Sequence, residues 1–298
     1  MRWPVAWPDR GRRRKLQRGL LAAALAVWMG TAYWHTHKAL PPGTHVASPA
    51  FETSAANLEF IADITTADAY GRPISSQAIF DETLSVVRGA RRFLVLDYFL
   101  FNNQGGTPAR ALSAELRDAL IEQRQTRPQL HVLLIVDPIN KAYGGAPSAD
   151  LALLRAAGVE VVTVDLDPLR DSNFAYSALW RLAMKWWAQD GRGQGWLPNP
   201  LDEDAAPLTL SAWARLVNFK ADHRKVVIAD DGEGLAGIVT SANPHDASSL
   251  HSNVAMKIKG AALAPLLESE LAIARMSGWR GEIEERPHPS PPPSNGVG

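Results

Sequence analysis

Two periodicities alternate along this chain: short runs rich in Val, Ile, Leu and aromatics, and longer stretches whose apolar positions recur with helical spacing. LEFIADITT (58–66), RFLVLDYFLF (92–101), LHVLLIVD (130–137) and VEVVTVD (159–165) read as strands. Residues 76–90, 107–125 and 148–157 read as the helices between them, the second opened by Thr107 as N-cap with Pro108 in its first turn. Strands that are apolar throughout and joined by helical crossovers predict an α/β fold, a largely parallel mixed sheet flanked by helices on both faces. A last helical stretch, 261–279, precedes a tail, RPHPSPPPSNGVG, too rich in proline and serine to form a core. No internal repeat is visible.

Residues 172–219 break this rhythm and hold five of the ten tryptophans, Trp180, Trp186, Trp187, Trp196 and Trp213. The segment reads as an insertion. Within it Tyr176, Trp180, Ala183, Met184 and Trp187 share one helical face, which fits either a helix packed on the core or one lying among lipid headgroups.

The N-terminus adds a further segment. Arg10, Arg12, Arg13, Arg14, Lys15 and Arg18 precede sixteen uncharged residues, GLLAAALAVWMGTAYW. As a helix that run rises about 24 Å, short of a roughly 30 Å hydrocarbon core unless the arginines snorkel. The expected organisation is a basic cytoplasmic N-terminus (1–18), a transmembrane anchor (19–34), a linker (35–56), a catalytic domain (57–280) and a Pro/Ser tail (281–298). Positive-inside asymmetry then puts the domain outside the cytoplasm, on the periplasmic face of the inner membrane in a Gram-negative cell. A cleaved signal peptide has the same basic and apolar order, although no A-x-A-like site follows.

Composition narrows the chemistry. With 46% hydrophobic residues among 298, a sizeable core is expected. The 31 basic and 31 acidic side chains cancel, so nothing marks the chain as a polyanion binder and nucleic acid is the less favoured partner. Cysteine is absent, which removes disulfides, thiolate nucleophiles and Cys-ligated zinc.

The segment most informative about chemistry is HRKVVIADDGEGLAGIVTSAN (223–243), which reads as a β-hairpin around an Asp-Asp-Gly-Glu-Gly turn. Period two puts His223, Lys225 and Val227 on one face of the first strand and Val239, Ser241 and Asn243 on one face of the second. If those faces coincide, an imidazole, an ammonium, a hydroxyl and an amide converge: a nucleophile with three donors for phosphate oxygens. Asp230 falls on the opposite parity and reads as structural. Gly232, Gly234 and Gly237 spell G-x-G-x-x-G, but a β-run follows instead of a helix, so a hairpin turn suffices. G-x-S-x-G and H-E-x-x-H are both absent. Asp97 and Asp137, within or at the end of strands, line a cleft or cap the sheet.

His223, Lys225, Asp230, Ser241 and Asn243 in this spacing resemble the H-x-K-x4-D and G-S-x-N signature of the phospholipase D superfamily. From about residue 57 to 280 the chain resembles the N-terminal half of bacterial cardiolipin synthase-like members. The resemblance implies that His223 is the nucleophile or its acid/base partner, that Lys225, Ser241 and Asn243 hold the phosphate, and that no metal or cofactor takes part. Three departures stand out. Thr240 replaces the glycine before the serine. Where an acid commonly follows the asparagine by nine to eleven residues, Ser252 and Asn253 stand, and Asp246 is the nearest acid. Finally, only one histidine begins H-x-K, where the family site uses two such motifs.

The resemblance thus implies a membrane-anchored phosphodiesterase or phosphatidyltransferase acting on phospholipid through a phosphohistidine, with a homodimer completing the site. The alternatives are a single-motif dimeric nuclease and a catalytically silent N-terminal half of a two-motif enzyme.

Overall fold

The strands forecast in the first 165 residues form in the computed structural model, which describes residues 10–48, 50, 52–104, 108–145, 147–186, 195–201, 206–232 and 234–283. Helix α1 (Arg10–His37) is followed by β1 (Leu58–Asp63), β2 (Thr65–Ala67), β3 (Pro73–Ser75), α2 (Ala78–Gly89), β4 (Phe93–Tyr98), α3 (Leu112–Thr126), β5 (His131–Val136), α4 (Ala149–Ala156) and β6 (Glu160–Thr163). Then come α5 (Phe174–Leu179), α6 (Leu210–Leu216), β7 (Lys225–Asp230), β8 (Leu235–Thr240), β9 (Asn253–Lys259) and α7 (Ala264–Met276). Thr107, Trp187 and the tail beyond residue 283 lie outside the described residues.

Seven strands form one sheet in the order β1-β9-β8-β7-β4-β5-β6, and β2 and β3 pair separately. The sheet is mixed, but the expectation of a largely parallel one is corrected. Only β4–β5 and β5–β6 are parallel, while β1–β9, β9–β8, β8–β7 and β7–β4 are antiparallel. The cause is connection length. Parallel pairing requires a crossover, which α3 and α4 supply, whereas a four-residue turn joins β7 to β8 and a longer connection, residues 241–252, returns the chain as β9 antiparallel to β8. Helices cover both faces. Leu94, Leu96 and Tyr98 of β4 pack under α2, α3 and α4, while Phe93 and Val95 point to the layer formed by Leu267, Leu271 and Ala274 of α7.

The expectation of a membrane-spanning anchor at 19–34 is not met: among the described residues no helix is long and apolar enough to cross a membrane. The apolar run is bounded by Arg18 on one side and by His35 and His37 on the other. Its C-terminal half instead docks on protein. Trp28 Nε1 donates to Ala175 O (3.1 Å), its ring meets Phe174 with centroids 6.4 Å apart, and the Asp171 N–H donates to His35 O (3.0 Å).

The Trp-rich segment divides between the two readings of it. Trp180 is 4% exposed and packs with Tyr176, Met184 and Ala214, whereas Trp186 and Trp196 are 72% and 71% exposed.

Candidate active site

β7 is central in the sheet, and every residue from Lys225 to Asp230 is buried. Its far end is pinned by Asp230, which forms an ion pair with Arg92 and accepts the Gly232 N–H at 2.7 Å. Gly232 turns there at φ +95, a conformation that favours glycine. This end of the hairpin is structural. The candidate residues His223 and Lys225 lie at the other end, where the chain enters β7.

There Lys225 Nζ stands 3.3 Å from His223 Nδ1 and donates to His223 O at 3.0 Å. Phe99, just past β4, lies against both: its ring centroid is 4.6 Å from that of His223 and 5.2 Å from Lys225 Nζ. Burial and the Lys225 charge pull His223 below its ordinary pKa, with Asp222 opposing, so the imidazole is neutral at pH 7. Burial also lowers Lys225, against the raising effect of Asp97, Asp222 and Asp137. A charged lysine can only donate, and the ring nitrogen it faces is Nδ1.

The two strand faces do not coincide as the alternation assumed. Val226 pairs with Val239 and Val227 with Ile238, so Val239 and Ser241 follow the parity of Val226, not that of Lys225. Ser241 spends its hydroxyl on β9, donating to Asn253 Oδ1 (2.9 Å) and accepting from Val254 N (3.0 Å). Asn243 lies beyond the end of β8, where parity no longer governs. It returns to the site, its Oδ1 accepting the Leu100 N–H at 3.0 Å beside Phe99. The structure therefore gathers His223, Lys225 and Asn243 around the Phe99–Leu100 turn and keeps Ser241 on the neighbouring strand.

The opposite side of the same stretch carries a cluster that sequence reasoning missed. Arg224 Nη1 stands 3.1 Å from Glu270 Oε1 and Nε 3.6 Å from Asp222 Oδ1, and Asp97 is fully buried beside them. Neither Asp97 oxygen has a hydrogen-bond donor among the described residues. Burial, reinforced by Asp222 and Glu270, holds Asp97 well above the carboxylate range, and burial likewise raises Asp222 and Glu270. Asp137 accepts from Ile139 N (2.8 Å) and Asp222 N (2.6 Å), and burial nevertheless lifts it to about 7. Glu270 was detectable in principle as the one acid on the apolar face shared by Leu267, Leu271 and Ala274. Asp246, the acid nearest the motif, accepts from Ser113 N and Oγ (2.9 and 2.7 Å) at the start of α3. Among the described residues no group of His, Cys, Asp and Glu is arranged to hold a metal.

No protein-family model and no curated protein matches the chain. Solved structures similar to it include Nuc, a phospholipase D family member from Salmonella typhimurium, at 13% identity and TM-score 0.40, covering 74% of this chain and 94% of that one. NucT from Helicobacter pylori is similar at 13% identity and TM-score 0.37, covering 74% and 98%. The phosphatidylserine synthase of Haemophilus influenzae is similar at 12% identity and TM-score 0.40, covering 78% of this chain and 38% of that one. These are likenesses of overall fold, and none assigns a reaction.

Proposed function

We propose that the chain is a phosphodiesterase or phosphatidyltransferase of phospholipase D type that works through a phosphohistidine at His223. The observation that carries the reading is a neutral imidazole paired at 3.3 Å with a lysine at the open end of a buried strand. A phosphodiester repels nucleophiles by its own charge, so the site must neutralise oxygens as well as attack. His223 attacks phosphorus with its unprotonated nitrogen, and Lys225 turns from the imidazole to a phosphate oxygen. The Asn243 amide serves a second oxygen. The alcohol departs, and water or the hydroxyl of a second lipid resolves the phosphohistidine; water makes the protein a lipase, a lipid hydroxyl a transferase.

Phospholipid is the favoured substrate class. Leu179, Leu182 and Trp186, at helical spacing and exposed at 48%, 42% and 72%, are apolar side chains of the kind that sit at a headgroup boundary, and Trp196 is a further exposed one. The test is turnover of phosphatidylglycerol and of bis(p-nitrophenyl) phosphate, with acid-labile phosphate sought on the His223 peptide. Label on that peptide, lost in His223→Asn, is the expected result. Salt-dependent DNA cleavage without lipid turnover would move the substrate to nucleic acid, and absence of any His223-dependent turnover would overturn the reading.

A further inference from the structure

The parallel half of the sheet ends in a polar cavity of its own, away from the His223–Lys225 pair. Lys225 pairs with Tyr98, Tyr98 with Val136 and Val136 with Thr163, so one row of residues crosses the sheet at the carboxyl edge of β4, β5 and β6. Thr163 therefore lies three strand spacings from Lys225, about 14 Å. Beyond it a cavity of about 890 Å³ opens outside the carboxyl ends of β5 and β6, where open α/β sheets bind their ligands.

The lining is cationic: Lys141, Lys185, Arg215 and Lys220 against Asp165 and Asp167. Three of the cations have contacts within the fold. Lys185 Nζ stands 2.7 Å from Asp167 Oδ2, Lys220 Nζ stands 3.0 Å from Asp171 Oδ1, and Arg215 lies 5.9 Å from the centre of the buried Trp180 ring. Lys141 differs from them. It is half-buried, and burial together with the Arg155 charge pulls it below its ordinary pKa, with no carboxylate among the described residues opposing. Thr163 repeats the pattern, since its Oγ1 is buried and has no hydrogen-bond partner among the described residues. A half-buried cation and a buried hydroxyl left in this state cost stability, and a ligand that supplies a partner offsets the cost.

The wall that carries Lys141 is held firmly. Ala142 and Tyr143 take φ values of +44 and +54, left-handed conformations unfavourable for residues other than glycine. Asn140 Oδ1 accepts the Phe101 N–H at 2.7 Å, the Tyr143 hydroxyl donates to Lys220 O at 3.2 Å, and a Cβ on Gly145 would stand 2.9 Å from Ala212 Cβ of α6. Such strain persists where the surroundings over-determine it, and it concentrates at ligand sites. Asn218, also in the lining, gives its Oδ1 to the Ser177 hydroxyl at 2.5 Å, which leaves its amide nitrogen to donate.

We infer that this cavity is an anion site distinct from the His223–Lys225 pair, and that its ligand is a phosphorylated polyol of about glycerol-phosphate size or larger. The phosphate meets Lys141 and the Thr163 hydroxyl, and the polyol hydroxyls meet the Asn218 amide and the Asp165 carboxylate at the rim. Two observations set the class. Four cations to two carboxylates favour an anion, and a volume in the small-molecule range, with an amide and a carboxylate in its walls, favours one that carries hydroxyls.

The experiment is calorimetric titration of the full chain with glycerol 3-phosphate, with inorganic phosphate as the smaller probe and melting curves in parallel. The wild type should bind glycerol 3-phosphate the more tightly of the two. Lys141→Met should weaken that binding by about tenfold or more and Thr163→Val by about threefold. Neither variant should melt below the wild type, because each removes a polar group that the fold itself does not satisfy. His223→Asn should bind as the wild type does. Vesicles of phosphatidylglycerol in phosphatidylcholine, added as competitor, separate two sources of the same chemistry. Displacement makes the ligand a lipid head group, undisturbed binding makes it a free phosphate ester, and both support the site. No binding by the wild type at about 10 mM would overturn it, as would binding that survives in both cavity variants or is lost in His223→Asn. Loss of stability together with binding in both cavity variants would mark a structural role and overturn it too, and equal affinity for inorganic phosphate would overturn the polyol assignment.

Discussion

Consecutive residues at the start of β7 serve two different environments. The exposed His223 and the Lys225 beside it pack on Phe99, whereas Asp222 and Arg224 turn toward α7 and join the buried Asp97 and Glu270, next to a cleft that Arg224, Ser269 and Glu270 help to line. Strand alternation makes the division, since odd and even positions cannot share a face. The open side sets an imidazole beside a lysine, and the proposed reaction belongs there. The closed side crowds three carboxyls around one guanidinium, which costs stability unless protons or Arg224 neutralise them. Substitutions on the open side should therefore change turnover, and those on the closed side should change stability.

The largest effect is expected on the open side. His223→Asn removes the nucleophile and should lower turnover on the order of 10⁴-fold or more. Because the side chain is exposed, the urea midpoint should shift by no more than about 0.5 kcal/mol equivalent. A variant that loses stability and activity together would erase the division between the faces. On the closed side Arg224→Met should do the reverse at neutral pH. It strands Glu270 and Asp222 without their cation, at a cost of about 3 kcal/mol in urea unfolding, and the cost should shrink in acid as protonation removes the stranded charge.

The next effect is the pH dependence of stability. Asp97, Asp222 and Glu270 are raised by burial, and Asp137 reaches about 7. A carboxyl whose folded-state pKa exceeds its unfolded value gives stability that is complete below the unfolded value and lost as pH rises through the folded one. For Asp137 that window runs from its ordinary 3.8 to about 7. His35, His223 and His245, all lowered by burial, act in the opposite sense and favour the fold as pH rises. The informative quantity is thus a difference between proteins: across pH 4 to 8, Asp97→Asn should lose less stability with rising pH than the wild type. Parallel curves for the two would mean that the carboxyl cluster is not the source.

The two faces differ in how much of them the sequence discloses. His-x-Lys and the distant asparagine are visible because their residue types and spacing are rare together. The hairpin that carries them is also visible, because β-branched runs flank a Gly-rich turn. The register was not legible: alternation sorts faces within a strand, but only the pairing of Val226 with Val239 says which face meets which. That pairing separates Ser241 from Lys225. The acid cluster was hidden for a different reason. Asp97, Asp222 and Glu270 come from β4, the approach to β7, and α7, and nothing local to any of them announces the others. The parallel half of the sheet was readable from its crossover helices, whereas the antiparallel half was undercounted because the short run of Val254, Met256 and Ile258 follows β8 after twelve residues, with no tight turn to announce the pairing. The anchor expectation rested on a basic cluster followed by an uncharged run, a local pattern that cannot register that Trp28 and His35 dock on residues 171–175.

The smallest expected effect tests whether Arg224 belongs wholly to the closed face. Its Nη1 donates to Ser269 Oγ at 3.0 Å, and Ser269 is 6% exposed on α7. Ser269→Ala removes one hydrogen bond to a charged donor that still has Glu270 and Asp222 beside it, so the loss should be about 1–2 kcal/mol and should appear in the urea midpoint. Turnover should stay within about twofold, because the change leaves His223, Lys225 and Phe99 in their mutual contact on the other side of the strand. The two variants should also be non-additive: once Arg224→Met has removed the guanidinium, Ser269→Ala has no bond left to break, and its further cost should fall to about 0.5 kcal/mol or less. If Ser269→Ala instead lowers turnover tenfold with the midpoint unmoved, then Arg224 reaches across to the phosphate, and the open and closed faces form one functional unit.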